Sequence, residues 1–352
     1  MIQGYSTVPS RNLIKASMDM LDHAEPITVL GDFGTQKQHP QKSTDTIVFR
    51  RTLPFGASLT GTTIENSARY VGTPNVVPNN LILPEGTTPN ANTIQFQDVS
   101  VSLQNYGILF KFTSKTELMY EDDVPEEMSK LVGETLGEAL ELVRYGVLRA
   151  GSTVIYANGS SRSAITNPIS LSVLRRVART LESNRGKRVT SRVASGPNYR
   201  TQAVEPAYLV FTHTDAVADV RNLAGFTRVV DYGSFKPAHA REYGACEDFR
   251  FISSPLLTPY LAAGAAVGST GMLSVGGSNL DIYPSIVICA DAWGSVALKG
   301  KSAIKPVILR SGDINHANPM GMFGYVGGQT WFNVVRLNEA WMARIEHAVT
   351  AL

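Results

Sequence analysis

The residues best suited to chemistry are six histidines, two cysteines, a cluster of carboxylates and a run of arginines. His23, His39, His213, His239, His316 and His347 are scattered, with no i, i+4 pair to put two imidazoles on one helix face around a metal ion. Cys246 and Cys289 form no CxxC, which excludes a zinc ribbon and a dithiol redox site and leaves two reduced thiols as the expectation. Asp122, Asp123, Glu126 and Glu127 could serve as a carboxylate cluster. They stand at the start of a strong helical pattern, however, where carboxylates meet the positive end of the helix dipole, so capping is the better reading. Between Arg175 and Arg200 lie Arg175, Arg176, Arg179, Arg185, Lys187, Arg188, Arg192 and Arg200 against the single acid Glu182. Such a run fits contact with nucleic-acid phosphates or an acidic partner, or a solvated helix face followed by a loop. Tyr199 is its only aromatic, which argues against stacking on single strands.

No HExxH, GxSxG, Walker loop or strand-borne GxGxxG occurs. Gly186–Lys187 lacks the upstream glycine and following Ser/Thr that cradle a phosphate. An α+β enzyme would need a site assembled from distant residues. The 352 residues are 43% hydrophobic and only 18% charged, against a usual ~25% charged, so much of the surface is expected to be covered. Lys plus Arg number 32 and Asp plus Glu 30, a net charge of +2. That balance excludes a generally basic nucleic-acid coat and an acidic tail. The first ten residues lack the basic start and apolar core of a secretory signal. No run reaches the ~18 apolar residues of a membrane span. The nearest candidate, Leu256 to Gly277, holds Pro259 and five glycines and reads as a loop.

These residues need elements to hold them. Residues 10–25 predict a short amphipathic helix capped by Ser10, with Leu13, Ile14, Met18 and Leu21 on one face and Pro26 ending it. GDFGTQKQHPQKST then reads as a loop. A helix and a loop cannot bury themselves, so residues 1–45 are expected to be an arm lying on something else. Thr46 to Leu53 reads as a strand. Thr93 to Thr113 changes alternation phase twice and reads as one long bent strand. From Pro54 to Phe110 only Glu65, Arg69, Glu85 and Asp98 are charged. A long, weakly charged hairpin with no core of its own is expected to lie on a neighbouring subunit rather than fold back as a flap.

The strongest helix signal begins at Asp122 or Asp123, has Pro125 in its first turn, and carries a stripe of Val132, Leu136, Leu140, Val143 and Val147 to about Ala150. At roughly 40 Å it suits a girder. Residues 170–185 predict a second amphipathic helix with Leu174, Val177 and Leu181 inward. Tyr208–Phe211 reads as a buried strand, 215–223 as a helix, and Phe249–Ile252 and Ser285–Ala290 as strands. Alternation from Trp331 to Ile345 closes the chain. No internal repeat is present.

Several segments together resemble one family. GDFGTQKQHPQKSTDTIVFRR, LPEGTTPNANTIQFQDVSVSLQNYGILFKFTSK and LGEALELVRYGVLRAGSTVIYANGSSRSAIT resemble the major capsid proteins of tailed bacteriophages, most closely those of short-tailed phages that package an RNA polymerase in the virion. YLVFTHTDAVADVRNL resembles the family's strand, His-Pro-Asp turn and helix, with Thr214 where Pro is usual, so a looser turn is expected. IYPSIVICADAWGSVALKG, Trp331 and Arg344–Ile345–Glu346 resemble its closing elements. The resemblance runs from about residue 30 to the end. Tyr260 to Leu280 and the basic loop near 186–204 look like insertions.

The resemblance implies an α+β, Hong Kong 97-type fold. It would comprise an N-terminal arm (1–45), an extended loop (46–112), a spine helix and first peripheral part (113–165), an axial domain (166–297) and closing peripheral strands (298–352). It implies a structural, non-enzymatic protein without cofactor or metal. Copies would form pentamers and hexamers of an icosahedral shell around double-stranded DNA, assembled in a bacterial cytoplasm, with a portal at one vertex and no membrane. About 45 residues before the first predicted strand are too few for a fused scaffold, so a separate scaffold protein is expected. Between Thr46 and Phe110 there is no lysine, so no isopeptide crosslink from the loop is expected, and buried loop contacts or a decoration protein would strengthen the shell. Interface residues are expected at Arg50 and Arg51 at the loop base, pairing with a neighbour's acids, at Glu85 on the loop turn, and at Asp122 and Asp123. Arg175, Arg176, Arg179, Arg185, Lys187 and Arg188 are candidates for inner-surface contact with DNA or scaffold. An encapsulin-like compartment shell and a nucleic-acid-binding protein are the alternatives.

Overall fold

The computed structural model describes residues 28–42, 44–52, 58–59, 70–71, 82–83, 85–86, 88, 96–120, 123–193, 201–233, 236–268, 271–299, 307–314, 316 and 318–352, with backbone alone at 58–59, 70–71, 192–193 and 201–204. The expected helix at 10–25, most of the 54–95 hairpin and Asp122 lie outside them. In chain order the elements are β1 (Thr35–His39), β2 (Thr46–Thr52), β3 (Ser58–Leu59), β4 (Tyr70–Val71), β5 (Phe96–Ser102) and β6 (Gln104–Thr113). Next come α1 (Ser114–Met119), α2 (Val124–Arg149), β7 (Val154–Tyr156), α3 (Leu171–Ser183), β8 (Val189–Val193), β9 (Thr201–Thr212) and α4 (Val217–Arg221). The chain ends with β10 (Thr227–Arg228), β11 (Glu242–Cys246), β12 (Phe249–Ser253), β13 (Tyr283–Ile288), β14 (Trp293–Leu298), β15 (Val307–Leu309), β16 (Phe323–Arg336) and β17 (Met342–His347).

Two sheets carry the fold. The larger runs β10-β11-β12-β9-β13-β17-β7, with β8 paired to β9. Its strands alternate with period two between two apolar layers, so both faces are buried. Tyr208, Val210, Phe251, Val287 and Ile345 pack against Val173, Leu174, Val177 and Leu181 of α3. Leu209, Phe211, Ile252, Ile286 and Ile288 face the other way, onto Leu140, Tyr145 and Leu148 of α2 and onto Trp293. The smaller sheet runs β1-β14-β16-β15, with β6 on the opposite side of β16. Val132 and Leu136 of α2 pack on its Phe112 and Val326. Gly324 is required there, because a Cβ at that position would sit 2.1 Å from the Phe112 ring.

Helix α2 spans 26 residues and starts as its sequence dictates: the Asp123 side chain accepts the Glu126 N–H, Pro125 lies in the first turn, and Glu126 and Glu127 face the positive dipole end. Among the described residues no helix is long and apolar enough to cross a membrane.

The structure corrects two expectations. The stretch from Gly31 to Pro40 is not all loop: Leu30–Asp32 makes a 3₁₀ turn, and Thr35–His39 runs parallel to β14 as an edge strand. Residues 28–39 therefore belong to the body of the protein, and Val29, Leu30 and Phe33 sit in its core. The supposed long bent strand is two strands broken at Leu103, β5 pairing with β2 and β6 with β16. Its second phase shift marks a change of sheet rather than a bulge. The turn at Thr214 is held without proline. The His213 ring accepts the Asp215 N–H at 3.2 Å, and the Asp215 carboxylate accepts the Tyr283 hydroxyl at 2.7 Å.

Candidate functional site

Among the described residues no group of three or more His, Cys, Asp or Glu could hold a metal ion. Cys246 and Cys289 are buried free thiols. Burial raises both, Cys289 to about 12, which keeps them protonated at neutral pH.

The fold instead concentrates charge where α2 ends. Arg336 donates from Nη1 to Val147 O at 2.6 Å, and Arg344 donates from Nη1 to Arg149 O and to Gly151 O, the latter at 3.2 Å. Two arginines thus satisfy carbonyls that a helix C-terminus leaves without partners. Each has a buried carboxylate. Glu339 pairs with Arg336 and accepts the Ser152 N–H at 3.0 Å. Glu346 accepts from Arg344 at 2.8 Å and, in a fork, from Arg162 at 2.7 and 2.8 Å. Tyr260 is flanked by the guanidinium groups of Arg149 and Arg162, each 3.6 Å from its ring centroid. This joint fixes the spine, both sheets and the 162–164 turn in one geometry.

A third buried carboxylate, Glu141, accepts the Val29 and Leu30 N–H groups at 2.6 Å each and pairs with Arg144 at 3.1 Å. It anchors the N-terminal segment to the spine as an N-cap supplied from another element.

The predicted surface residues sit as follows. Arg50 is paired within its own hairpin, Nε and Nη2 each 2.7 Å from Asp98 across the β2–β5 pair. Arg51 donates to Gln97 Oε1 at 2.5 Å, and burial lowers its pKa to about 10. Phe49, Val99, Leu337 and Trp341 floor a cleft of about 390 Å³ beside them, with Arg185 on its rim. Glu85 is exposed, in a turn completed by Gly86 at φ +76°. Asp123 caps α2 and also binds Arg310 at 3.0 Å, while Arg310 reaches Glu117 at 3.2 Å. In the free chain Arg50 and Asp123 thus have partners within the molecule. The basic run divides. Arg175 pairs with Glu247, Arg188 with Glu182 and Asp248, and Arg176 donates to Tyr156 O. Arg179, Arg185 and Lys187 are exposed. The side chains of Arg192 and Arg200 lie outside the described residues.

Sequence reasoning missed the joint and the Glu141 anchor. Glu141 did carry a signal, being a carboxylate next to Leu140 on the buried face of an amphipathic helix. Its partners are backbone groups 111 and 112 residues away, which no local spacing reveals. Arg336–Glu339 has the spacing of a helical pair but joins the last residue of β16 to the first residue of a 3₁₀ turn.

The comparisons with known proteins agree with this architecture. The chain is similar to the capsid of Ralstonia phage GP4, with a TM-score of 0.64 at 12% identity over 96% of this chain and 95% of that one. It is similar to a chain of the head structure of Helicobacter pylori bacteriophage KHP40, with a TM-score of 0.59 at 9% identity over 97% and 94%. Cyanophage Pam1 capsid gives 0.57 at 12% identity over 99% and 98%. At these identities the likeness is one of fold, and the chain has the Hong Kong 97-type α+β fold of phage capsid proteins. No family model and no curated protein matches the sequence.

Proposed function

We propose that this chain is the major capsid protein of a tailed phage, a structural subunit that closes into an icosahedral shell around double-stranded DNA in the bacterial cytoplasm. The observation that carries the reading is likeness of the whole chain, rather than of one domain, to phage capsid subunits. The physical design supports it. A buried charge joint rigidifies the spine, whereas the exposed elements carry apolar residues and exchangeable ion pairs, as a subunit making similar contacts in five- and six-fold rings requires. The finer assignment, to short-tailed phages that package an RNA polymerase, rests on the sequence resemblance alone. A separate scaffold protein, a portal vertex and a decoration protein belong to the same proposal. Arg179, Arg185 and Lys187 are proposed to meet DNA or scaffold through sequence-independent phosphate or carboxylate contacts.

Negative-stain electron microscopy with light scattering on the expressed chain, alone and with its candidate scaffold, tests the reading. Closed shells, or rings that close when scaffold is added, are the expected result. A monomer or dimer that never closes under either condition overturns it. Shells that package other proteins and no DNA in the infected or expressing cell would replace it with the encapsulin-like alternative.

A further inference from the structure

The β2–β5 hairpin meets the body of its own chain. Within it β3 pairs antiparallel with β4, and Cα atoms of Tyr70–Val71 in β4 come within 8 Å of Cα atoms in the 3₁₀ turn Glu339–Trp341. The covalent path keeps this ribbon close. β3 starts six residues after Thr52, so it lies within roughly 20 Å of that residue. Thr52 is part of the wall of the cleft floored by Phe49, Val99, Leu337 and Trp341. From Pro54 to Phe110 the chain carries only Glu65, Arg69, Glu85 and Asp98 as charges, which predicts a neighbouring subunit beneath the hairpin. In the free chain its own 339–341 turn is beneath it.

The surface beside β4 is fixed by its own bonds. Asn184 Nδ2 donates to Ala340 O at 3.3 Å and Trp341 Nε1 donates to Asn184 O at 3.0 Å, which clamps the turn to the end of α3. Glu339 in the same turn is held by Arg336 and by the Ser152 N–H. A weakly charged ribbon tethered beside a fixed apolar floor favours closure within the chain. A short tether supplies an effective concentration on the order of 1 mM, so closure outcompetes pairing between chains about 100-fold at about 10 µM protein. The closure is local: Ile82 and Leu83, further along the hairpin, stay 68% and 69% exposed and leave apolar surface for a neighbour. The hairpin root is held by the exposed Arg50–Asp98 pair, which costs little to break.

We propose that the hairpin is an autoinhibitory strap: in the unassembled chain its β3–β4 ribbon closes over the chain's own 339–341 turn beside the cleft, and shell formation releases it. Closed, the strap withholds both the ribbon and the turn from other copies. Release exchanges contacts within a chain for contacts between chains, the low-cost route of domain swapping. The closure stands without any capsid, and only its release rests on the capsid reading.

Locking the strap in the full chain tests both steps. The two native cysteines are buried, so a bis-maleimide with a reducible disulfide in its spacer reacts with introduced thiols. In the Tyr70→Cys, Trp341→Cys chain at about 10 µM, the product linked within one chain is expected to exceed the product linked between chains about 100-fold. A second lock, Tyr70→Cys with Arg185→Cys on the exposed cleft rim, leaves the floor intact and keeps the test readable if Trp341→Cys does not fold. The control pairs Trp341→Cys with Val230→Cys, which is 91% exposed and lies beside β10. Five strand spacings separate β10 from β17, roughly 24 Å, so about ten-fold less within-chain product is expected. Locked chains are expected to form no shells, with or without scaffold, and reductant is expected to restore them. Within-chain linkage no better than the control overturns the closure. Locked chains that build shells as well as reduced ones overturn the release and leave the capsid reading standing. Efficient within-chain linkage in a protein whose unsubstituted form never builds shells sinks the capsid reading, and the release with it, and leaves the closure standing.

Discussion

Arg344–Glu346 and Arg50–Asp98 are the same chemical pair in two settings. The first is buried where the spine helix ends, its glutamate fully enclosed and shared with Arg162. The second lies across the root of the β2–β5 hairpin, with side chains 64% and 43% exposed. Burial removes the glutamate from water, so the inner pair persists because both Glu346 oxygens accept from guanidinium groups and Arg344 also reaches backbone carbonyls, and losing one partner strands the others. The outer pair keeps its hydration and is screened by salt, so its geometry is held cheaply and given up cheaply. The inner pair therefore fixes shape, while the outer one is free to exchange partners. On the proposed capsid reading, a subunit that must fit rings of different order needs both.

The largest expected effect tests the inner side of that contrast. Glu346→Gln removes the charge that Arg162 and Arg344 share and leaves two guanidinium groups facing a neutral amide. Breaking a buried pair in this way costs about 3–5 kcal/mol. Urea unfolding of the soluble chain is the measurement, and a loss below about 1 kcal/mol would mean that water reaches the joint.

Next in size is a pH effect from the adjacent residue. His347 is fully buried, bonded to Ser285 at 2.8 Å, and burial holds its pKa below the ordinary 6.5 despite the favourable field of Asp219. The unfolded chain therefore takes up a proton as pH falls through about 6.5 while the folded chain does not. Stability from this group is complete above that pH and declines below it, until the lower folded pKa is reached. His213 is shifted in the same direction by burial, partly opposed by Asp215. The urea midpoint is expected to fall between pH 7.5 and 5.5, and His347→Asn is expected to flatten that slope. An unchanged slope in the variant would assign the acid sensitivity elsewhere.

The spine helix, the period-two strands and the family resemblance were legible because they rest on local patterns: the cap at Asp123, the stripe at Val132, Leu136 and Leu140, and the fully apolar Tyr208–Phe211. The charge roles were not. Arg50 reads in sequence as a group for a neighbour's acids and Asp123 as a cap and interface residue, yet each also finds a partner in its own chain, 48 or 187 residues away. Glu141 and Glu346 look like ordinary helix and strand glutamates and prove to be buried anchors. Position along the chain carries no record of which charges a fold will enclose, because that depends on which elements meet. The Thr35–His39 strand was missed for a related reason. Its polar sequence gains strand structure only from the edge of β14 that it completes.

Helix α2 offers a smaller test of the contrast between inside and outside. Gly133 and Gly137 lie in its interior, and a Cβ at either would meet nothing within 4 Å. Each glycine should therefore lower helix stability by about 0.5–1 kcal/mol relative to alanine. Gly133→Ala and Gly137→Ala are expected to raise the urea midpoint of the free chain. A lower midpoint would mean that the helix needs its glycines for its own geometry. A higher midpoint combined with failed shell closure would show that a neighbour's backbone approaches this face.

The smallest effect on stability is expected at Arg50–Asp98. Both side chains are largely solvated, and the pairing raises the arginine pKa and lowers that of the aspartate chiefly through their mutual hydrogen bond. Arg50→Ala is expected to leave the urea midpoint of the free chain unchanged within error, at low and at high salt. Its consequence, if the pair exchanges partners on assembly, is in closure. Arg50→Asp would block shells, and adding Asp98→Arg would restore the hairpin pair without restoring contacts to a neighbour's acid. Full rescue by the double variant would therefore keep the pair inside one chain. Rescue only when the acid sits on a second, co-expressed copy would move it to the interface. The two outcomes separate a hairpin that is merely stapled at its root from one whose staple is released to hold the next subunit.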